Sequence, residues 1–252
     1  MNQLKIELNC DMGESYGRYR IGNDAAIMPY INSCNLACGY HAGDPLTIQK
    51  TIDLAIQHQV KIGAHPSYPD LSGFGRRSMQ IPQEELTAML LYQIGALKSM
   101  VELQGAALTY VKPHGALYND AYQNKAVANA IFRAVQAFDL PLMGLAASPI
   151  QQWATAANIP FIAEGFADRR YTQEGFLQAR STPGAVLQHP DEVAEQVLAF
   201  AMGQAIQTAN NKSIVIPVQS ICIHGDNPAA LDILKCIHHI FNAKNLFFKT
   251  NK

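Results

Sequence analysis

A chain of 252 residues, 48% hydrophobic and 15% charged, has the length and composition of one large soluble α/β domain with a full core. Its formal charge of −1 offers no basic field for nucleic acid, and no apolar run approaches the roughly 20 residues a membrane helix needs. The N-terminus passes almost directly into a strand without a secretory segment, which makes a cytoplasmic location the expectation.

Residues 4–10 read as a first strand that closes on two carboxylates, Asp11 and Glu14, either side of Gly13. Residues 13–26 are polar and glycine-containing, and read as a long loop. A second strand ends near Ala37. It is followed by Cys38-Gly39-Tyr40-His41-Ala42-Gly43-Asp44-Pro45, whose glycines let the backbone turn tightly and approach a ligand closely. Asp44 suits a helix N-cap and Pro45 the first helical position, so a helix is expected over residues 45–58. A third strand, 61–64, ends on His65-Pro66. Residues 66–80 form a loop with two aromatics and the adjacent Arg76 and Arg77, and its length marks it as functional. Pro82 then opens a long helix, with Leu86, Leu90, Gln93, Leu97 and Val101 at helical spacing and only Gln93 polar.

A fourth strand, 107–111, ends on Lys112-Pro113-His114. A helix over 124–138, a fifth strand at 141–146 and a short helix after Ser148-Pro149 follow. The sixth strand, 160–163, ends in Glu164-Gly165. Residues 166–188 are a second long irregular stretch holding Asp168, Arg169, Arg170, Tyr171 and Arg180. A helix over 191–207, a seventh strand over 215–223 closing on His224-Gly225-Asp226, and a last helix over 228–241 complete the chain. Seven strand–helix alternations without a linker predict a single α/β domain over residues 1–252 with a parallel sheet. Closure into a (β/α)7 barrel accounts for polar groups at every strand end, whereas an open doubly wound sheet gathers them at one switch point.

The carboxyl ends of parallel strands lie together, so Asp11, Glu14, His41, His65, Lys112, His114 and His224 are expected to form one site. Asp11 suits a general base or a metal ligand. Lys112 ends a buried strand, which is costly unless it meets an anion, so it is read as a binder of developing negative charge. His41 and His224 each precede an aspartate by two or three residues. The competing reading is a core histidine bonded to that aspartate, and Asp44 and Asp226 read as helix caps. Arginine forks suit carboxylate and phosphate, although solvated surface charge explains any one of Arg76, Arg77, Arg169, Arg170 and Arg180 equally well. The five cysteines, an odd number without a C-x-x-C pair, read as free buried thiols. There is no G-x-x-x-x-G-K-[ST] loop and no G-x-S-x-G elbow. A nucleotide, if bound, must rest on the helix amino-ends at Asp44 or Asn227 and on the loop arginines.

Taken together, the motifs around Asp11, His41, His65, Lys112-Pro113-His114, Glu164–Tyr171 and His224 resemble the LamB/YcsF family in order and spacing over almost the whole chain. The resemblance implies an irregular seven-stranded barrel, similar to those of carbohydrate deacetylases and glycoside hydrolases. It implies the A subunit of a lactam-utilising 5-oxoprolinase, which opens 5-oxo-L-proline to L-glutamate as ATP, with Mg²⁺ its usual partner, becomes ADP and phosphate. Partner subunits B and C are implied with it. In that frame Asp11, Glu14, His41, His65, Lys112, His114 and His224 are catalytic, and Arg76, Arg77, Glu164, Arg169 and Arg180 bind substrate or phosphate. Two other readings stand beside it. One is a metal-dependent amide or sugar deacetylase with Zn²⁺ or Mn²⁺ on Asp11, His41 and His65. The other is a non-catalytic subunit that binds 5-oxoproline.

Overall fold

The computed structural model describes residues 2–248. Seven parallel strands close into a barrel in which every strand pairs with its neighbours in chain order and the last returns to the first. They are β1 Glu7–Met12, β2 Ser33–Ala37, β3 Lys61–His65, β4 Leu108–Val111, β5 Leu142–Leu145, β6 Phe161–Phe166 and β7 Ser220–Ile223. The junction of β4 with β5 rests on a single register pair, Val111 with Leu142, and is the irregular seam of the barrel. Strands buried on both faces have no exposed polar edge, which is why β2 is buried at all five positions. Along β1 the side chains alternate: Leu8, Cys10 and Met12 belong to the apolar core, while Asn9 and Asp11 meet polar partners from other strands.

The outer layer is α1 Pro45–Gln57, α2 Gln83–Leu103, α3 Gly115–Gln123, α4 Lys125–Ala137, α5 Pro149–Ala156, α6 Pro190–Ala201 and α7 Ala230–Ala243. Asp44 caps α1 as expected, accepting from the backbone N–H of Leu46 and Thr47 at 3.0 Å each, and also accepts from Gly17 N–H at 2.9 Å. These bonds push the Asp44 carboxyl down to about 2. Asp44→Ala should lower stability by about 1 kcal/mol, read as a melting midpoint some 2–4 °C lower. A group whose folded value lies below its unfolded one stabilises above the unfolded value. The gap to wild type should therefore narrow as the pH falls below about 4.

Several boundaries differ from the sequence expectation, each for a local reason. Residues 115–123 form α3, separated from α4 by Asn124, which ends one helix and caps the next by accepting from Ala126 N–H at 2.9 Å. The helix expected over 191–207 stops at Ala201 because Gly203 takes a left-handed φ of 63° just beyond it. Residues Ile206–Gln207 and Ser213–Ile214 then pair as a small antiparallel ribbon outside the barrel, which shortens the strand expected over 215–223 to Ser220–Ile223. The polar loop over 13–26 contains one helical turn, Asp24–Ile27, whose Asp24 accepts from Gly13 N–H at 2.8 Å and from Thr51 Oγ1 at 3.1 Å. The tail contributes Leu246–Phe247, paired in parallel with Asn2–Gln3. The final helix begins at Ala230 rather than 228. Asp226 is not its cap but pairs with Arg76.

The polar residue on the apolar stripe of α2 has a use. Gln93 is fully buried, accepts from Ser67 N–H at 2.9 Å and donates to the Ser67 carbonyl at 3.0 Å. It fastens the start of the 66–80 loop over the barrel mouth. Gln93→Leu should cost about 1–3 kcal/mol in urea unfolding, because it strands two buried backbone groups.

Candidate active site at the carboxyl ends of the strands

Four strands meet at Lys112, which is 2% exposed. Its Nζ lies 3.0 Å from Asp11 Oδ1 and 2.8 Å from Glu164 Oε1. It also donates to Asn9 Oδ1 at 3.3 Å and approaches Cys222 Sγ at 3.1 Å. Asn35 Nδ2 bridges Asn9 Oδ1 at 2.7 Å and Asp11 Oδ1 at 2.8 Å, and Tyr110 OH donates to Asn35 Oδ1 at 2.7 Å. Burial alone would strip the charge from both partners. It pushes Asp11 up, but Lys112, aided by His65, outweighs it and holds the carboxyl well below the usual carboxylate range. Burial likewise pulls Lys112 down, and Asp11, Cys222 and Glu164 more than restore its proton. The anion that Lys112 meets is therefore supplied by the chain itself.

Beside this floor stand three imidazoles and Glu14. His41 stacks on His114, centroids 3.7 Å apart and 5° from parallel, and His65 stands edge-on to both. His41 Nε2 is 3.2 Å from Glu14 Oε1 and His114 Nδ1 is 2.9 Å from His65 Nε2. Burial, with neighbouring imidazoles adding to it, holds His41 and His114 well below the ordinary histidine value. Burial and the charge of Asp11 hold Glu14 well above the ordinary carboxylate value. The backbone here is shaped by close approaches. Gly115 has φ +53°, and a Cβ on it would come within 2.5 Å of the Gly75 carbonyl oxygen. Phe74 itself is left-handed, φ 55°, an uncommon state for a bulky side chain.

Across the mouth, His224 Nδ1 lies 2.8 Å from Asp168 Oδ1. Neither expected local aspartate is used: His224 turns to Asp168 rather than Asp226, and His41 to Glu14 rather than Asp44. Asp168 was visible in the sequence only as part of the 166–188 stretch, 56 residues from its partner. Arg169 is buried. Its Nη2 donates to the Gln178 carbonyl, and its Nε has no partner among the described residues. Burial and then the charge of Arg180 pull Arg169 down to about 10. Arg76 holds Asp226 and stacks 5.0 Å over the Phe74 ring.

These groups share one cavity of about 430 Å³, lined by Asp11, Glu14, His65, Lys112, His114, His224, Arg76, Arg169 and Arg180. His41 lies behind His114, outside the lining, and Glu164 is fully buried against Lys112. Arg77 is turned away onto Asp70, to which its Nε donates at 3.0 Å. The remaining thiols are free, and burial pushes Cys34 and Cys38 up to about 12, so neither is a ready nucleophile. Among the described residues no helix is long and apolar enough to cross a membrane.

Residues 6–251 match the sequence model of the LamB/YcsF family. The chain belongs to that family. A Vibrio cholerae serotype O1 member, named as the A subunit of 5-oxoprolinase, is 45% identical over 237 residues, which is 93% of this chain and 96% of that one. A Pseudomonas aeruginosa member, likewise named as a 5-oxoprolinase A subunit, is 47% identical over 236 residues, 92% and 94% of the two chains. The crystal structure of a lactam utilization protein from Thermus thermophilus superposes with a TM-score of 0.92 at 37% identity, covering 99% of this chain and all of that one. That structure shares the barrel on which the cavity is built.

Proposed function

We propose that this chain is the A subunit of an ATP-dependent 5-oxoprolinase, and that its cavity opens the lactam ring of 5-oxo-L-proline to give L-glutamate. The observation that carries the reading is the convergence in one pocket of acids, bases and arginines, among them Arg169 with its unpartnered Nε. The names of its relatives point to the same substrate.

A five-membered lactam is a stabilised amide whose ring reforms readily from glutamate, so opening it needs a coupled reaction. Phosphoryl transfer to the amide oxygen is what ATP supplies when bound, and it leaves the ring carbon open to water. The residues present suit anionic groups: Arg169 offers a buried guanidinium with an unpartnered Nε, and Arg180 adds a second positive charge beside it. In our reading these two hold the substrate carboxylate or phosphate. His224, oriented by Asp168, takes a proton from the attacking water and delivers it to the ring nitrogen as the C–N bond breaks; the open-chain acyl phosphate left by that step is hydrolysed by a second water, which releases phosphate and leaves glutamate. Lys112 keeps Asp11 ionised, so a fixed negative charge faces the imidazolium that forms on His224. Partner subunits B and C complete the enzyme.

The test is reconstitution. Glutamate and phosphate formation from 5-oxo-L-proline and ATP should require this chain together with its partner subunits. His224→Gln should abolish it while the thermal unfolding midpoint stays within a few degrees of wild type. Full turnover by His224→Gln, or by the partners without this chain, would refute the proposal. Arg169→Gln should raise KM for 5-oxoproline or ATP about 10- to 100-fold, the loss of one charge-assisted anion contact, with a smaller effect on kcat.

A further inference from the structure

The tautomers of two imidazoles can be read from their backbone partners. His65 Nδ1 lies 2.7 Å from the Lys112 carbonyl oxygen, and His114 Nε2 lies 2.9 Å from the Phe74 carbonyl oxygen. A carbonyl only accepts, so each of these nitrogens carries a ring hydrogen. The opposite nitrogens, His65 Nε2 and His114 Nδ1, face each other at 2.9 Å. With one hydrogen on each ring both are lone pairs, and two acceptors need an electrophile between them, a shared proton or a cation. Carboxylates converge on the same point: Glu14 Oε1 is 3.6 Å from His114 Nδ1, and Asp11 Oδ1 is 3.5 Å from His65 Nε2.

We propose that Glu14 Oε1, His65 Nε2 and His114 Nδ1 form a binding site for a first-row divalent cation of the Zn²⁺, Co²⁺ or Mn²⁺ type, with a coordination position open to the cavity. All three residues line that cavity, and their ligating atoms lie within 4.8 Å of one another. Ligands about 2.0–2.2 Å from a tetrahedral ion stand roughly 3.3 Å apart. The spacings of 2.9 Å and 3.6 Å bracket that figure, so small movements of the side chains suffice. The two N–H···O=C contacts are of the kind that fixes the orientation of metal-bound imidazoles. One of them depends on Phe74, whose left-handed backbone aims its carbonyl at His114. His41 takes a supporting place. It is stacked on His114 and directs Nε2 at Glu14 from behind, outside the cavity.

This ligand set differs from the Asp11, His41 and His65 expected from sequence. Asp11 faces Lys112 and His41 is displaced to the rear, while Glu14 and His114 take their places. A second group, Asp11, Cys222 and His224, is as tightly spaced. There the Lys112 ammonium already sits 3.0 Å from Asp11 Oδ1 and 3.1 Å from Cys222 Sγ, in the position a cation would need.

The experiment is metal uptake by the full chain, stripped with a chelator and titrated with Zn²⁺ by calorimetry and with Co²⁺ by visible absorption. Wild type should bind a single equivalent of either, displaying the ligand-field bands of a nitrogen–oxygen cobalt site, and Mg²⁺ should not compete. His65→Gln and His114→Gln should each weaken binding by at least about 100-fold, more than loss of an outer-shell partner. Circular dichroism should report a native fold, and His238→Gln, remote from the site, should bind as wild type does. Uptake below a tenth of an equivalent overturns the proposal, as does unchanged affinity in both histidine variants. An excess proton shared by His65 and His114, seen by nitrogen-15 resonance in wild type that takes up no metal, overturns it too. The readout is binding rather than turnover. Failure here leaves the 5-oxoprolinase reading standing, and failure of that reading leaves the metal site standing.

Discussion

Lys112→Met should destabilise the folded chain by about 3–5 kcal/mol, because it leaves Asp11 and Glu164 buried without their shared counter-charge. For a chain of this size that is a fall in melting midpoint of roughly 6–20 °C. Turnover in the reconstituted enzyme should be lost as well, since Asp11 loses the largest of the influences that hold its carboxyl low against burial. Glu164 is fully buried, so its charge has no access to water once the ammonium is gone. Adding Glu164→Gln to Lys112→Met should therefore recover part of the lost stability without recovering activity. The two substitutions are in contact, and non-additivity is the expected signature. A double variant no more stable than the single one in urea unfolding would show that Lys112 and Glu164 are not electrostatically joined.

Asp168→Asn should lower kcat on the order of 10²–10⁴-fold while changing stability little. The upper end is the loss, about 10⁴-fold, for the same substitution in a serine-protease triad. The carboxylate accepts the Nδ1 proton of His224 at 2.8 Å, which reserves Nε2 for proton transfer at the substrate. An asparagine can present its amide N–H instead, which selects the other tautomer and removes the base. Burial pushes Asp168 up, and His224 outweighs it and holds the carboxyl below its ordinary value. The measurement separates the role from a merely structural one: kcat should fall while KM stays within about threefold, as expected when an interaction matters only in the transition state. Equal losses in KM and thermal midpoint, with kcat kept, would count against the assignment.

Local chemistry made much of the barrel readable before any coordinates. Alternating apolar runs and caps such as Asp44 act over one or two turns, and a neighbour within a few residues decides them. The errors have two sources, a local competitor and a distant group. The ribbon of Ile206–Gln207 with Ser213–Ile214 competes with a longer seventh strand, and Gly203 decides it in its favour. Asp226 looked like a cap because Pro228 follows it, yet Arg76, 150 positions away, claims it. At Gly225 the constraint is space, since a Cβ there would meet the Asp11 carbonyl.

By itself the sequence determined seven strands, six of them followed by a helix and most of them ending in ionisable groups, and hence that a polar site would form where parallel strands finish. Those properties follow from periodicity and capping, which are short-range. Only the closed barrel decided which group meets which: Lys112 with Asp11 and Glu164, His224 with Asp168, and His65 with His114. Such pairings depend on ångström distances between segments 49 to 101 residues apart, fixed by strand register rather than by the composition of any segment.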